Sequence, residues 1–243
     1  MQNPTAAMLV IGDEILSGRT RDANMHHLAG QLTKVGIDLK EVRVVSDDPS
    51  AIVSAVQALS TTYEHVFTSG GIGPTHDDIT ADCVAQAMGA AIDIRDDARD
   101  LLQAHYDRQG TEFNDARKRM ARIPDGAVLI DNPVSIAPGF TIGNVHVMAG
   151  VPNIFEAMVA SVLPTLTGGA PLQSVTIRVD CGEGQIAEPL GQLAEKFSTL
   201  SIGSYPYQKD GRYGANIVIR GSDPARLAIA ETELRALFKG DIS

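Results

Sequence analysis

The sequence contains no tryptophan, and only five tyrosines and six phenylalanines among 243 residues. So few rings leave no platform on which successive nucleic-acid bases could stack. Positive charge is scarce too: 20 Lys and Arg against 30 Asp and Glu give a formal net charge of −10. An acidic chain repels a phosphate backbone unless it carries a local basic patch, which argues against long nucleic acid as a partner. Two cysteines far apart, Cys83 and Cys181, supply neither a disulfide framework nor zinc spacing. No apolar run approaches the roughly 18 residues a membrane span needs. The opening MQNPTAAMLVIGDE lacks the regions of a signal peptide. These absences predict a cytoplasmic, globular protein with no membrane contact. The six histidines show no H-E-x-x-H spacing, although His76 lies inside a glycine turn, and no serine sits in G-x-S-x-G.

What is present centres on Val66 to Cys83, VFTSGGIGPTHDDITADC. Val66, Phe67 and Thr68 are strand formers. Gly70, Gly71 and Gly73 remove side chains where a backbone turns sharply or approaches a ligand. Asp77 and Asp78 then look like the opening of a helix on which Ile79, Cys83, Ala87 and Met88 recur at helical spacing. Free N–H groups at a helix start suit phosphate. Two carboxylates there would repel it, unless a divalent cation bridges the two. A purely structural reading has Thr75 or Asp77 capping that helix, since Thr75-x-x-Asp78 resembles a capping box. The stretch is not a P-loop, because no Gly-Lys-Ser/Thr follows. It is not a full G-x-G-x-x-G either, because His76 takes the sixth place.

Along the chain, residues 6–12 read as a buried strand and 23–35 as a helix stopped by Gly36. Leu39 to Val45 reads as a second strand, and Asp48-Pro49 as a cap and first turn. Three β-α units in succession predict a parallel sheet with right-handed crossovers. Ligands gather beyond the carboxyl ends of such strands, where Gly12-Asp13-Glu14, Ser46-Asp47-Asp48 and Ser69-Gly70-Gly71 converge. A helical run from Asp96 to Arg108 places Ala98, Leu101, Leu102 and Tyr106 on its apolar face. Arg117, Lys118, Arg119 and Arg122 form a basic cluster, either a solvated face or a clamp on polyphosphate. Phe140–Ile142 and Val145–Met148 read as a hairpin about Gly143-Asn144. A boundary between Leu166 and Leu172 gives domains of residues 1–168 and 169–243. The second reads β-α-β-β-α, a small α+β domain, split-βαβ or KH-like, with Pro189 in the first turn of its first helix. It has no G-x-x-G loop with basic flanks, which disfavours nucleic-acid binding and favours a structural or dimer-forming role.

Gly12-Asp13-Glu14, Asn24, Asp47, the run from Gly70 through Thr80, Asn132-Pro133, Ala137-Pro138-Gly139-Phe140 and Gly150-Val151-Pro152 resemble the MoaB/Mog molybdopterin-binding-like family. The form is the one at the N-terminus of CinA-type proteins, and the tail resembles the KH-like domain that follows it there. Nothing resembles their nicotinamide-mononucleotide deamidase domain. The resemblance implies an α/β, three-layer MoaB/Mog-like fold with a mostly parallel sheet, a homo-oligomer, and a nucleotide or pterin ligand. Mog-type relatives bind molybdopterin and adenylylate it. CinA-type relatives, and the similar domain of eukaryotic FAD synthases, split the pyrophosphate of ADP-ribose or FAD with a divalent metal (Mg or Co) and potassium. The Gly73-Pro74-Thr75 and Asp77-Asp78 elements look more like the second branch. Three positions depart from the CinA pattern: Ser135-Ile136 replaces Gly-Thr, Ala149 replaces Pro, and Ile154 replaces Glu.

The sequence-level expectation is therefore a metal-dependent nucleotide pyrophosphatase. Asp47, Asp77 and Asp78 would hold the metal, and Glu14 or one aspartate would act on water. Gly12, Asp13, Asn24, Ser69, Gly70, Gly71, Gly73, Pro74, Thr75, Thr80, Lys118, Asn132, Pro133, Gly139 and Gly150 would bind phosphate or ligand. The alternatives are a non-catalytic binder of molybdopterin or a nucleotide, a Mog-type adenylyltransferase, and a domain kept for assembly.

Overall fold

The computed structural model describes residues 3–209 and 212–242. The chain divides into two compact units between Gly169 and Ala170.

In the first unit, β1 (Thr5–Ile11) runs between β2 (Asp38–Val45) and β3 (His65–Ser69), parallel to both. Its apolar residues are continuous because both faces are covered. Ala7, Leu9 and Ile11 join one core, while Ala6, Met8 and Val10 join the other. The four-residue α1 (Asp13–Leu16) follows β1, and α2 (Asn24–Lys34) precedes β2. Next come α3 (Pro49–Thr62) before β3 and α4 (Thr80–Met88) after it. Asp48 caps α3 by accepting the Ala51 N–H at 2.9 Å, with Pro49 in the first turn.

The chain then forms a small antiparallel ribbon of β4 (Ile92–Ile94) and β5 (Arg122–Pro124), enclosing α5 (Asp96–Gln109) and α6 (Asp115–Lys118). The sheet resumes with β6 (Val128–Ile130), β7 (Gly139–Ile142) and β8 (Val145–Met148), and α7 (Pro152–Val162) follows. The spatial order is β2-β1-β3-β8-β7-β6. The first four strands are parallel; β7 and β6 each run antiparallel to the neighbour before. Helices α3, α4 and α5 contribute to one core, α2 and α7 to the other, so the unit is a three-layer α/β/α sandwich.

The second unit follows the order β9 (Gln173–Val179), α8 (Glu183–Lys196), β10 (Ser201–Lys209), β11 (Arg212–Gly221), α9 (Pro224–Leu237). Its three strands form an antiparallel sheet ordered β10-β11-β9. Ile177, Val179, Ala215, Ile217 and Ile219 share its core with Ile186, Leu193, Leu227 and Leu234 of the helices. Among the described residues no helix is long and apolar enough to cross a membrane.

Four sequence expectations need correction. Asp77 and Asp78 do not open a helix: α4 begins at Thr80, and the aspartates lie in the turn before it. Neither Thr75 nor Asp77 caps α4, because Thr75 spends its hydroxyl on Asp77 and Asp78 within that turn. Pro189 sits inside α8 rather than in its first turn. Leu101 is 42% exposed; the buried face of α5 is Ala98 and Leu102.

Both cysteines are free and buried, and burial pushes the Cys83 thiol up to about 11. His146 is buried beside Phe67, with ring centroids 4.8 Å apart, and contacts Thr141 and His65. Desolvation first, and then the neighbouring His65, holds its pKa down at about 3. A histidine depressed in the folded state binds its proton more readily when unfolded. Its stability contribution is therefore complete above its unfolded pKa of about 6.5 and is lost as pH falls toward 3. We expect His146→Phe to flatten the fall of melting temperature across that window relative to wild type, measured by thermal unfolding at stepped pH.

Candidate functional site

The carboxyl ends of β1, β2, β3 and β8 meet at one edge, and a cavity of about 560 Å³ opens there. Its floor is glycine. Gly70 has φ +111°, and a Cβ there would collide with the Ile11 carbonyl. Gly71 has φ +67°, and a Cβ would strike the Thr80 hydroxyl. Gly150 approaches so closely that a Cβ on it would lie 3.2 Å from the Gly70 Cα. Three loops converge closer than side chains permit, which is the physical demand behind these glycines.

Asn24, at the start of α2 and 3% exposed, clasps two of the loops. Its amide donates to the Ser69 hydroxyl at 2.7 Å and to the Gly150 carbonyl at 2.7 Å. Asn132, 2% exposed, shapes a fourth loop. Its amide donates to Ser135 Oγ and the Ala137 carbonyl, and its Oδ1 accepts from the N–H groups of Val134 and Ser135. That loop holds Ile136 at φ +68°, the one non-glycine with positive φ among the described residues. A β-branched residue is strained there.

Glu14, Asp47, Asp77 and Asp78 line the cavity together. Asp47 accepts the Asp13 N–H at 2.9 Å, tying the ends of β1 and β2. Glu14 folds its carboxylate over Gly12. Asp78 accepts from the Thr75 N–H (2.8 Å) and hydroxyl (2.6 Å). The Thr75 hydroxyl is also the leading cause holding the Asp77 carboxyl below its ordinary range. The same cavity is lined by the apolar side chains of Met120, Ala137, Ala149, Val151 and Ile154. No lysine or arginine lines the cavity.

Of the expected ligand residues, Gly12, Gly70, Gly71, Gly73, Pro74, Asn132 and Gly150 line this cavity, and Asn24 and Ser69 line an annex beside it. The others do not. Asp13 contributes its backbone N–H to Asp47. Thr75 braces the acidic turn, and Thr80 is buried beneath Gly71. Pro133 is absent from the wall, and Gly139 lies in β7, where a Cβ would meet the Val147 carbonyl. Lys118 pairs with Asp115 at 2.8 Å, away from the cavity. Of the rest of the basic cluster, Arg117 lies over the Tyr106 ring and Arg122 pairs with Asp82. Arg119 donates to the Asp78 carbonyl at 3.3 Å from a small neighbouring pocket, and its buried Nε has no partner. A phosphate clamp from these four is not assembled. Met120, within the same run, reaches the cavity instead, and no sequence signal singled it out.

The expected metal site of Asp47, Asp77 and Asp78 is not preassembled. Among the described residues no three His, Cys, Asp or Glu side chains are gathered to hold a cation. The donor set fits a looser arrangement. Mg²⁺ commonly takes one or two carboxylates and completes its shell with water and substrate phosphate.

Fold and site together define an α/β domain whose ligand cavity lies at the carboxyl edge of a mostly parallel sheet. Comparison with known families matches residues 7–168 to the "Probable molybdopterin binding domain" and residues 171–243 to the "FAD synthase, middle domain". The chain belongs to the molybdopterin-binding-domain family, in its CinA-like form. A CinA crystal structure from Thermoplasma acidophilum is 31% identical, covers 68% of this chain and 99% of its own, and superposes with a TM-score of 0.62. A CinA-like protein of Citrifermentans bemidjiense is 38% identical over 76% of this chain and 46% of its own length. A protein of Caenorhabditis elegans named "Probable FAD synthase" is 32% identical over 99% of this chain. The chain spans about half (51%) of that relative's length. The tail, which on sequence resembles a KH-like domain, is the segment matched by the FAD synthase middle domain.

Asn132 makes four hydrogen bonds from a buried position, each contributing about 1 kcal/mol net. Asn132→Ala is expected to destabilise the first unit by roughly 2–4 kcal/mol. The strained Ile136 loop would relax with it. Urea unfolding measures the first effect, and faster amide exchange at Val134 and Ser135 reports the second.

Proposed function

We propose that this protein binds a nucleotide through its pyrophosphate and hydrolyses that bond with the help of a divalent cation, FAD or ADP-ribose being the substrate class. The observation that carries the reading is the composition of the cavity of about 560 Å³: a wall that combines glycines, four carboxylates and apolar side chains. A site so acidic attracts a polyphosphate only through a cation. The apolar side chains suit a planar ring. The match of the tail to a FAD synthase segment, and the FAD synthase names of relatives, support a nucleotide over other anions.

Asp77, Asp78 and Asp47 would hold the cation, which when bound would neutralise phosphate charge and polarise the P–O bond. The chain's own groups do the rest. Backbone N–H groups of the Gly71–Gly73 turn would meet the phosphates, the Gly70 N–H being taken by the Met148 carbonyl. Glu14 takes the proton of the attacking water. Water adds at one phosphorus, the bridging P–O bond breaks, and two monophosphates leave. Thr75 keeps Asp77 ionised and both aspartates aimed. A second reading, a binder that does not hydrolyse, is favoured by Ala149 and Ile154, apolar lining residues where the CinA-type pattern has proline and glutamate.

Incubation with FAD or ADP-ribose, with and without Mg²⁺ or Co²⁺, followed by mass analysis, tests the reading. AMP together with FMN or ribose phosphate is expected, and only with metal. Asp77→Asn with Asp78→Asn should lose at least about a hundredfold in rate while keeping the wild-type circular dichroism spectrum. Binding without any AMP would establish the non-hydrolysing alternative. ATP consumed only when molybdopterin is present would instead indicate an adenylyltransferase.

A further inference from the structure

The cavity leaves a charge problem unsolved. Its wall holds four carboxylates and no cationic side chain. Of the basic cluster, Arg117, Lys118 and Arg122 are paired outside this wall, and Arg119 donates to the Asp78 carbonyl from a neighbouring small pocket with its Nε left unpartnered. A small annex of about 60 Å³ shares Ile11, Glu14, Thr20, Gly150 and Pro152 with the cavity. Its remaining wall includes Arg21, Asp22, Asn24 and Ser69.

Arg21 is exposed, with no ion pair or hydrogen bond to any described side chain. Its backbone is nonetheless held on both sides. Chain leaving α1 turns through Gly18 at φ +73°, and the Thr20 N–H returns to the Glu14 carbonyl at 2.9 Å. On the other side Asp22 accepts the Met25 N–H at 3.0 Å at the start of α2. With its backbone held, a guanidinium that meets an anion here orders its side chain alone. Ser69 adds a second donor. Its oxygen accepts from Asn24, which leaves its hydroxyl hydrogen for another partner. Of the carboxylates in the annex, Asp22 is spent on the α2 backbone, and Glu14 belongs to both chambers.

We infer that Arg21 is the anion-binding residue of this site: its guanidinium holds a phosphate of the ligand at the annex while the acidic turn, through its cation, holds the other. The inference rests on the nucleotide reading above. It divides the ligand's two phosphates between opposite sides of the site, one met by a fixed positive side chain and one by a bound cation. Arg19, two residues away on the same loop and absent from both walls, provides the internal control.

Calorimetric titration of FAD in Mg²⁺ tests the assignment without reference to turnover. Arg21→Gln should weaken FAD binding roughly tenfold or more and reduce its salt dependence, with Arg21→Lys recovering part of the loss. Riboflavin, which has no phosphate, should bind both proteins alike. Arg19→Gln should stay within about twofold of wild type, since an exposed charge without a contact contributes little. Wild-type affinity in Arg21→Gln would overturn the inference, as would equal losses in the Arg19 and Arg21 variants or a parallel loss for riboflavin. Failure of the nucleotide reading itself looks different: wild type would bind neither FAD nor ADP-ribose, and both proposals would fall.

Discussion

The structure depends on how closely three backbones come together at the carboxyl edge of the sheet. Gly70 lies against the Ile11 carbonyl on one side and Gly150 on the other, with Gly71 pressed onto Thr80. Such contact is possible only without side chains and only while the strands hold their spacing. The double-sided burial of β1 fixes that spacing, and the Asn24 amide fastens the β3 and β8 loops together. Loosening any one of these would spread the floor of the cavity before it touched a chemical group.

Electrostatics follow from the same arrangement. Strand ends that converge bring Glu14, Asp47, Asp77 and Asp78 to one cavity although they are separated by up to 64 positions in sequence. At this edge mutual repulsion is offset by local donors: the Asp13 N–H for Asp47, and the Thr75 N–H and hydroxyl for Asp78. Asp47 and Asp78 are thus held in fixed orientations by the fold itself, a form of preorganisation.

Much of the fold was legible because its signals are periodic and local. The apolar run of β1, the Asp48-Pro49 cap and the Gly143-Asn144 hairpin each announce themselves within a few residues. The glycine turn was legible for the same reason. The start of α4 was not. Asp77 and Asp78 look like first-turn acids, but the turn satisfies itself through Thr75, and the helix waits until Thr80. Arg117 through Arg122 misled because a run of like charge says nothing about where each side chain finds its partner. Tyr106, Asp115 and Asp82 come from other elements or from the helix itself. Met120 and Arg21 were invisible for the converse reason, since only tertiary folding brings them to the site.

Cys83 gives the molecule an internal clock. Its thiol lies on the buried face of α4, the helix that supports Gly71 through Thr80, and burial pushes its pKa up to about 11. A thiol reacts as its thiolate, so alkylation in the closed state is slow. It quickens only when the layer lifts from the sheet and the pKa falls toward its ordinary value. The rate at which this one sulfur is labelled therefore counts the openings of the layer that carries the glycine floor, and it does so without a probe being added to the chain.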